Sequence, residues 1–201
     1  MISVIAFDYG GVIEITEKNI ITEITEYLNI PKDQWLQKYF TLNHLSNVED
    51  KTWNEVIVMT AQSFGTTEEQ IKGMQEMMQA NAKNKKLNTE LLDIIRSLKP
   101  KYRIALISNY PARLRQKMTD QGIIDLFDEV IISGEVGFQK PQPEIFNFLC
   151  DKIGIPISGL AFVDDTENSL KDADIIGYTP ILYTTNEQLK TDLDKILEVN
   201  L

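Results

Sequence analysis

The 201-residue chain has few of the side chains on which many structural and catalytic sites depend. It contains one cysteine, Cys150, and one histidine, His44. A lone cysteine cannot close an intramolecular disulfide, and the apolar neighbours of Cys150 predict a small buried thiol. A lone histidine excludes a site built from several histidines, and the polar segment TLNHLSNVED predicts a surface or capping role for His44. We therefore expect neither a disulfide framework nor histidine-based catalysis.

Long apolar runs and positive charge are also scarce. No apolar run approaches the ~20 residues of a membrane-spanning helix, and the N-terminal segment MISVIAFDYGG lacks the features of a secretory signal. The chain carries 20 Lys and Arg against 30 Asp and Glu, a formal net charge of −10. Nucleic acid and anionic membranes are not expected as partners, because both require a basic face. We expect a cytoplasmic protein.

The sequence does contain short apolar runs rich in valine and isoleucine. They are Ile2–Phe7, Arg103–Ile107, Glu129–Ile132, Leu160–Val163 and Pro180–Tyr183. Runs without polar alternation are typical of strands that are buried on both faces. Segments whose apolar residues have helical spacing separate the later runs, as in the segment after Asn88, which is a candidate N-cap. Pro111 and Pro143 are each expected where a helix begins. The alternation predicts an α/β fold with a parallel sheet.

About 100 residues separate Asp8, after the first run, from Ser108, after the second. A single crossover helix needs far fewer, so we predict an inserted helical module. Three apolar stripes mark its helices: Ile20–Leu28, Trp53–Thr60 and Ile71–Met78, the last after the capping signal Thr66–Glu69. The expected division is a core domain of residues 1–14 and 89–201 with an inserted helical domain of residues 15–88.

Polar side chains follow three of the buried runs. Asp8 follows the first run, Ser108 and Asn109 the second, and Asp164 and Asp165 the fourth. Because ligands of open parallel sheets bind beyond the carboxyl ends of the strands, we expect these side chains at one site. Three carboxylates in one place require a cation, and Mg²⁺ prefers such oxygen ligands.

The same site has donors for an anionic ligand. Lys140, ahead of the helix predicted at Pro143, brings positive charge, and Ser108 and the backbone N–H of Asn109 add hydrogen-bond donors. Gly10 and Gly11 allow a tight turn through which the backbone can approach the ligand. A carboxylate that is not needed only as a metal ligand can attack phosphorus. These residue types favour metal-assisted phosphoryl transfer.

Four segments, FDYGGVI, LISNY, GEVGFQKPQPEIF and FVDDTENSLKDADIIG, resemble in order the four motifs of the haloacid dehalogenase-like (HAD) hydrolases. The resemblance spans almost the whole chain. It implies a Rossmann-like core with an inserted α-helical cap of the first cap subclass.

The resemblance also implies a role for each site residue. Asp8 is the expected nucleophile, and Lys140 is the expected lysine that steadies the nucleophile and the phosphate. Ser108, Asn109 and Gly11 are expected to bind the phosphate group together with Lys140. Mg²⁺ is expected on Asp8, the Gly10 carbonyl and Asp165, with Asp164 as a direct or water-mediated ligand.

Three positions depart from the family pattern. Phosphatases of this family usually carry a second Asp two positions after the nucleophile, and here that position is Gly10. The absence of this general acid and base can cost ~10²–10⁴ in rate. The pattern with glycine resembles the branch that includes α-D-glucose-1-phosphate phosphatase, and an anomeric or acyl phosphate tolerates the loss because its leaving group is good. Ser169 stands where the fourth motif commonly has Asn, and Gln142 replaces a frequent acidic residue.

Three functions remain open from the sequence. The first is a Mg²⁺-dependent phosphatase that acts on a small phosphate ester, with a sugar phosphate as one candidate, through an aspartyl-phosphate. The second is a 2-haloacid dehalogenase that uses the same Asp8 nucleophile on carbon. The third is a catalytically weak HAD-like module that binds a phosphometabolite or a protein partner as a sensor. A monomer and a homodimer are both compatible with the sequence.

Overall fold

The computed structural model describes residues 1–49 and 51–197. Asp50 of the predicted helical domain and residues 198–201 of the predicted core domain lie outside the described residues. Two compact units make up the chain. Met1–Ile15 and Leu87–Leu201 form one unit, here called the core unit, and Thr16–Lys86 form the other, here called the helical insert. No helix among the described residues has the length and apolar character needed to cross a membrane.

The strands, in chain order, are β1 (Val4–Phe7), β2 (Glu14–Ile15), β3 (Lys86–Leu87), β4 (Arg103–Ser108), β5 (Glu129–Ile132), β6 (Leu160–Asp164) and β7 (Thr179–Leu182). Within the described residues, five of them form a parallel sheet in the order β5-β4-β1-β6-β7. The ends of these five strands differ from the predicted ends by two residues at most. The nucleophile candidate Asp8 therefore follows the central strand.

The helices of the insert are α1 (Ile20–Leu28), α2 (Lys32–Leu42), α3 (His44–Asn47), α4 (Trp53–Gln62) and α5 (Glu68–Lys83). Those of the core unit are α6 (Thr89–Leu98), α7 (Leu114–Asp120), α8 (Ser133–Val136), α9 (Pro143–Ile153), α10 (Glu167–Leu170), α11 (Ala173–Ile176) and α12 (Asn186–Leu197). Single 3-10 turns at Ile124–Leu126 and Ile157–Gly159 precede β5 and β6.

Both faces of the parallel sheet are covered by helices. Ile5 and Phe7 of β1 pack in one apolar cluster with side chains of α6, α7 and α12. Val4 and Ala6 point to the other face, into a cluster with side chains of α9 and α11. This burial explains why the strands read as continuous apolar runs. The predicted α/β fold, a Rossmann-like parallel sheet with helical insertions, is confirmed.

The helical insert has an apolar core of its own. Trp35 of α2 is fully buried and stacks on Phe64, with ring centroids 6.2 Å apart and planes 11° apart. Ile24, Ile57 and Met74 from three further helices complete this core. Two capping boxes begin α4 and α5, and the second uses Thr67 and Gln70, one residue further along the chain than the Thr66–Glu69 signal. The Met74 side chain is therefore part of the apolar core of the insert, where a flexible methionine side chain can fill an irregular gap.

Of the predictions for Pro111, Pro143 and Cys150, two are confirmed and one is wrong. Pro143 is the first residue of α9, and Cys150 is a buried thiol, both as predicted. The helix start at Pro111 is wrong, because α7 begins only at Leu114. Residues 111–113 form a turn ahead of the helix instead, in which the Leu114 N–H donates to the Pro111 carbonyl at 3.0 Å.

Candidate active site

The carboxyl ends of three neighbouring strands carry the acidic and hydroxyl side chains singled out in the sequence. Asp8 extends β1, and its N–H donates to the Val163 carbonyl of β6 at 2.8 Å. Ser108 ends β4 and Asp164 ends β6, and both are almost completely buried. Phe7 pairs with Leu106, two residues before Ser108, and with Val163, the residue before Asp164. The three side chains therefore lie at one edge of the sheet.

Lys140 lies between two of the carboxylates. Its Nζ is 2.8 Å from Asp8 Oδ1 and 2.5 Å from Asp164 Oδ2, and it also stands over the Phe162 ring, 5.1 Å from the centroid. Burial alone lowers the pKa of Lys140, but attraction by Asp164 and then by Asp8 outweighs burial and raises its pKa above the ordinary value. The buried ammonium therefore stays charged at neutral pH.

The side chain of Asn109 holds the Lys140 backbone. Asn109 Nδ2 donates to the Lys140 carbonyl at 3.0 Å, and the Lys140 N–H donates to Asn109 Oδ1 at 2.8 Å. This reciprocal pair joins the segment after β4 to the loop before α9. No sequence pattern predicts this pair of hydrogen bonds, because the two residues are far apart in the chain. A contact of the Asn109 backbone N–H with phosphate stays a prediction.

Asp164 and Asp165 complete a cluster of three carboxylates. One oxygen each of Asp8, Asp164 and Asp165 lies within 4.8 Å of the others. Asp164 Oδ1 accepts from the Thr166 N–H at 2.8 Å, and the Thr166 hydroxyl donates to Asp165 Oδ1 at 3.3 Å. Thr166 therefore forms a hydrogen bond with each of the two neighbouring carboxylates.

The electrostatics of this cluster favour a cation. Burial raises the pKa of Asp164 to about 6, with Lys140 opposing the shift and the charge of Asp8 adding to it. The Asp165 side chain is exposed at the rim of the cluster, and loss of solvent around its carboxyl, followed by repulsion from Asp8 and Asp164, raises its pKa to about 7. Three carboxylates face a single ammonium, and all the side-chain donors are hard oxygens. This donor set fits a divalent cation such as Mg²⁺.

The two glycines after Asp8 have different constraints. Gly11 has φ +78°, and a Cβ on it would overlap the Asp165 carboxylate. Gly10 has no such requirement, since a Cβ there would meet no atom within 4 Å. The Gly11 N–H donates to the Glu14 carbonyl at 2.9 Å, and a phosphate contact of Gly11 stays a prediction. Position 11 thus requires glycine, whereas position 10 can hold a side chain.

The two other departures from the family pattern have local structural roles. Gln142 Oε1 accepts from the Gln139 N–H at 2.7 Å, which closes the turn that precedes α9. The buried Ser169 accepts at its carbonyl from the Tyr178 hydroxyl at 3.4 Å. Tyr178 stacks on Phe146, with centroids 4.5 Å apart, so this contact ties α10 to the aromatic cluster beneath the site.

Comparison with known proteins gives matches over very different lengths. Drimenol cyclase drtB of Aspergillus calidoustus is 30% identical over 71 residues, and bifunctional epoxide hydrolase 2 of Mus musculus is 36% identical over 70 residues. Each match covers 35% of this chain, and the chain spans only 13% of either protein. D-ribitol-5-phosphate phosphatase of Bacteroides thetaiotaomicron is 23% identical over 210 residues, 98% of this chain and 99% of that protein.

Solved structures share the fold. A dehalogenase with an intermediate complex has a TM-score of 0.67 and 17% identity, over 92% of this chain and 86% of that one. A HAD family enzyme of Bacteroides thetaiotaomicron, in complex with magnesium and inorganic phosphate, has a TM-score of 0.57 and 21% identity, over 92% of this chain and 96% of that one. The family model for haloacid dehalogenase-like hydrolases matches residues 2–171. The chain therefore belongs to the haloacid dehalogenase-like hydrolases.

Proposed function

We propose that the protein is a Mg²⁺-dependent phosphatase that hydrolyses a small phosphorylated metabolite through an aspartyl-phosphate. The observation that carries the proposal is the buried Lys140 ammonium between Asp8 and Asp164, with Asp165 in the same cluster. This arrangement combines a carboxylate nucleophile, a fixed positive charge and a cation site. The full-length similarity to a D-ribitol-5-phosphate phosphatase and the magnesium and phosphate held by a similar structure support it.

In this mechanism Asp8 is the reacting group. Its carboxylate oxygen attacks phosphorus, and the bond to the leaving oxygen breaks with its electron pair on that oxygen. In the second step a water molecule attacks phosphorus, and the bond between phosphorus and the Asp8 oxygen breaks with its electron pair on Asp8. Inorganic phosphate leaves, the attacking water loses a proton to solvent, and the leaving oxygen of the first step takes one up from solvent. Lys140 offsets the charge of Asp8 and the phosphate, and Ser108 and the Asn109 N–H donate to phosphate oxygens. Asp8, Asp164, Asp165 and the Gly10 carbonyl would hold Mg²⁺, which would supply positive charge to neutralise the phosphoryl group.

The finer assignments are part of the same proposal. The helical insert serves as a cap of the first subclass, with the range 15–88 predicted from the sequence. The glycine at position 10 supports a likeness to the α-D-glucose-1-phosphate phosphatase type, with substrates whose leaving groups need little protonation. The proposal also includes a cytoplasmic location, a monomer or homodimer, and no nucleic-acid or membrane partner, in keeping with the net charge of −10.

A panel of phosphate esters, assayed with and without Mg²⁺, tests this function. The panel contains p-nitrophenyl phosphate, acetyl phosphate, α-D-glucose 1-phosphate and an alkyl phosphate such as glycerol 3-phosphate. We expect Mg²⁺-dependent phosphate release that is fastest for the good leaving groups. Tight binding without turnover on the whole panel contradicts the phosphatase and favours the sensor, for which Gly10 is the supporting feature. Halide release from a 2-haloacid without Mg²⁺ favours the dehalogenase.

Gly10→Asp tests whether the absent general acid shapes the substrate range. Because position 10 has open space and no positive φ, we expect the variant to fold normally. Its turnover of the alkyl phosphate is expected to rise by about 10²-fold, whereas that of p-nitrophenyl phosphate changes little. The matched variant Gly10→Asn adds a side chain of the same size without a transferable proton. Equal gains in both variants, or none in either, contradict this explanation of the glycine.

A further inference from the structure

A second cluster of polar side chains lies beside the nucleophile and has no role in the mechanism above. Tyr9 directly follows Asp8 and is fully buried. Its hydroxyl lies 3.0 Å from Glu14 Oε1 and 2.9 Å from Gln121 Oε1. The Glu14 side chain is itself buried, with 6% of its surface exposed. A buried carboxylate is costly unless partners compensate its charge.

The compensating charge comes from helix α7. Lys117 Nζ is 2.6 Å from Glu14 Oε1 and 2.8 Å from Glu14 Oε2, so it contacts both oxygens. It also stands over the Tyr9 ring at 5.2 Å and the Tyr110 ring at 5.9 Å. Gln121, one helical turn further on, donates to Glu14 Oε1 at 3.4 Å. The segment after β1 is therefore fixed to the helix that follows the Ser108 strand.

The backbone between Tyr9 and Glu14 forms a closed turn. The Tyr9 carbonyl accepts from the Ile13 N–H at 3.0 Å and from the Glu14 N–H at 2.8 Å. The Glu14 carbonyl in turn accepts from the Gly11 N–H at 2.9 Å. The side-chain bond between Tyr9 and Glu14 closes the same turn a second time. Gly10, whose carbonyl is a proposed metal ligand, lies inside this doubly closed turn.

We propose that Glu14, Lys117 and Tyr9 are positioning residues that fix the turn after Asp8 and thereby orient the Gly10 carbonyl for the metal. The inference rests on the proposed function, because it takes the Gly10 carbonyl as a ligand of that site. The contacts described above join the three side chains to one another, to Gln121 and to Tyr110. They act through the turn, in the way that outer partners of metal ligands set ligand orientation. The Glu14–Lys117 pair links the segment after Asp8 to helix α7, which follows the Ser108 strand.

Two variants with opposite changes in charge separate positioning from a simple electrostatic effect. Lys117→Met removes a positive charge, and Glu14→Gln removes a negative charge. If Lys117 and Glu14 act only through the electric field of their charges, Lys117→Met binds Mg²⁺ more tightly and Glu14→Gln binds it more weakly. Positioning predicts that both variants bind Mg²⁺ more weakly, by about tenfold each. The double variant should bind Mg²⁺ no more weakly than either single variant, because each single variant already removes the same ion pair.

The measurement is the Mg²⁺ dissociation constant of the full chain by titration calorimetry, together with kcat and KM for p-nitrophenyl phosphate. Lys99→Met is the matched control, since Lys99 is equally half-buried and pairs with Asp128 at 3.4 Å outside this cluster. We expect Lys99→Met to bind Mg²⁺ as the unchanged protein does. Tyr9→Phe removes a single oxygen and carries the test if the charge variants do not fold by circular dichroism.

The outcomes also distinguish this inference from the proposed function. Unchanged Mg²⁺ affinity in Lys117→Met and Glu14→Gln, or opposite changes that follow the charge, overturns the positioning role while phosphatase activity stands. Absence of Mg²⁺ binding to the unchanged protein overturns it as well. If the protein binds Mg²⁺ but releases no phosphate from any ester, the proposed function fails, and the affinities of the variants still decide the positioning role.

Discussion

Asp8→Asn is expected to reduce phosphate release from p-nitrophenyl phosphate by about 10⁴-fold or more, because the amide oxygen cannot act as the attacking carboxylate. Asparagine has the same shape as aspartate and can still accept a hydrogen bond from Lys140, which lies 2.8 Å from Asp8 Oδ1. The fold should therefore persist. Steady-state phosphate release and circular dichroism measure the two effects, and intact-mass spectrometry of the quenched unchanged enzyme should show a phosphoryl adduct.

The control for this variant is a surface carboxylate. Asp93 is largely exposed on α6 and pairs with Arg96 of the same helix. Asp93→Asn removes one negative charge without touching the site and is expected to keep full turnover. Turnover of Asp8→Asn at the level of the unchanged protein would show that catalysis does not pass through an aspartyl-phosphate at Asp8.

Lys140→Met is expected to affect both catalysis and stability. Without the ammonium, Asp8 and Asp164 face each other in a buried position, and removal of one partner of a buried ion pair costs about 3–5 kcal/mol. We also expect kcat to fall about 10³-fold, because the charge that faces the phosphoryl group is lost. Urea unfolding without Mg²⁺ and steady-state kinetics with Mg²⁺ measure the two losses separately.

The stability loss in Lys140→Met should depend on pH with a definite sign. The pKa values of Asp164 and Asp165 are raised to about 6 and about 7, so the folded protein retains protons that the unfolded chain releases above roughly pH 4. Stability therefore falls as pH rises from about 4 to 7, and loss of the ammonium enlarges this fall. The deficit of the variant is expected to be larger near pH 8 than near pH 5.

A surface lysine provides the comparison. Lys152 pairs with Glu129 at 2.6 Å, but half of its side chain is exposed. Lys152→Met should cost no more than about 1 kcal/mol, with little dependence on pH, because exposed ion pairs contribute little. An equal loss of stability in the two variants would contradict the role given to the buried ammonium.

The parts of the fold that could be predicted from the sequence are those fixed by one-dimensional patterns. Strands buried on both faces give unbroken apolar runs, and this is why β1, β4, β5 and β6 were located within two residues. Asp8 and Asp164 could be placed together because parallel strands bring their carboxyl ends to one edge. The proposed phosphoryl transfer was inferred from the residue types expected at this edge of the sheet.

What could not be predicted depends on contacts between distant segments. The bond pair between Asn109 and Lys140, and the ion pair between Glu14 and Lys117, join residues whose spacing carries no periodic signal. Helix α2 was also missed, since most of its side chains are polar or partly exposed and only Trp35 is fully buried. Tertiary packing, rather than local propensity, determines these features.

The central position of β1 has a consequence for synthesis on the ribosome. This strand is translated before the other strands of its sheet, and Val4 pairs with Arg103 and with Leu160, which are translated much later. The helical insert, with its own core around Trp35, is complete before either neighbour of β1 exists. The apolar strand β1 thus has no partner strand until β4, Arg103–Ser108, has been translated, and unpaired apolar strands are prone to aggregation. A nascent chain that stops before β6 has no Asp164 or Asp165 and no assembled cation site, whatever its insert has already folded into.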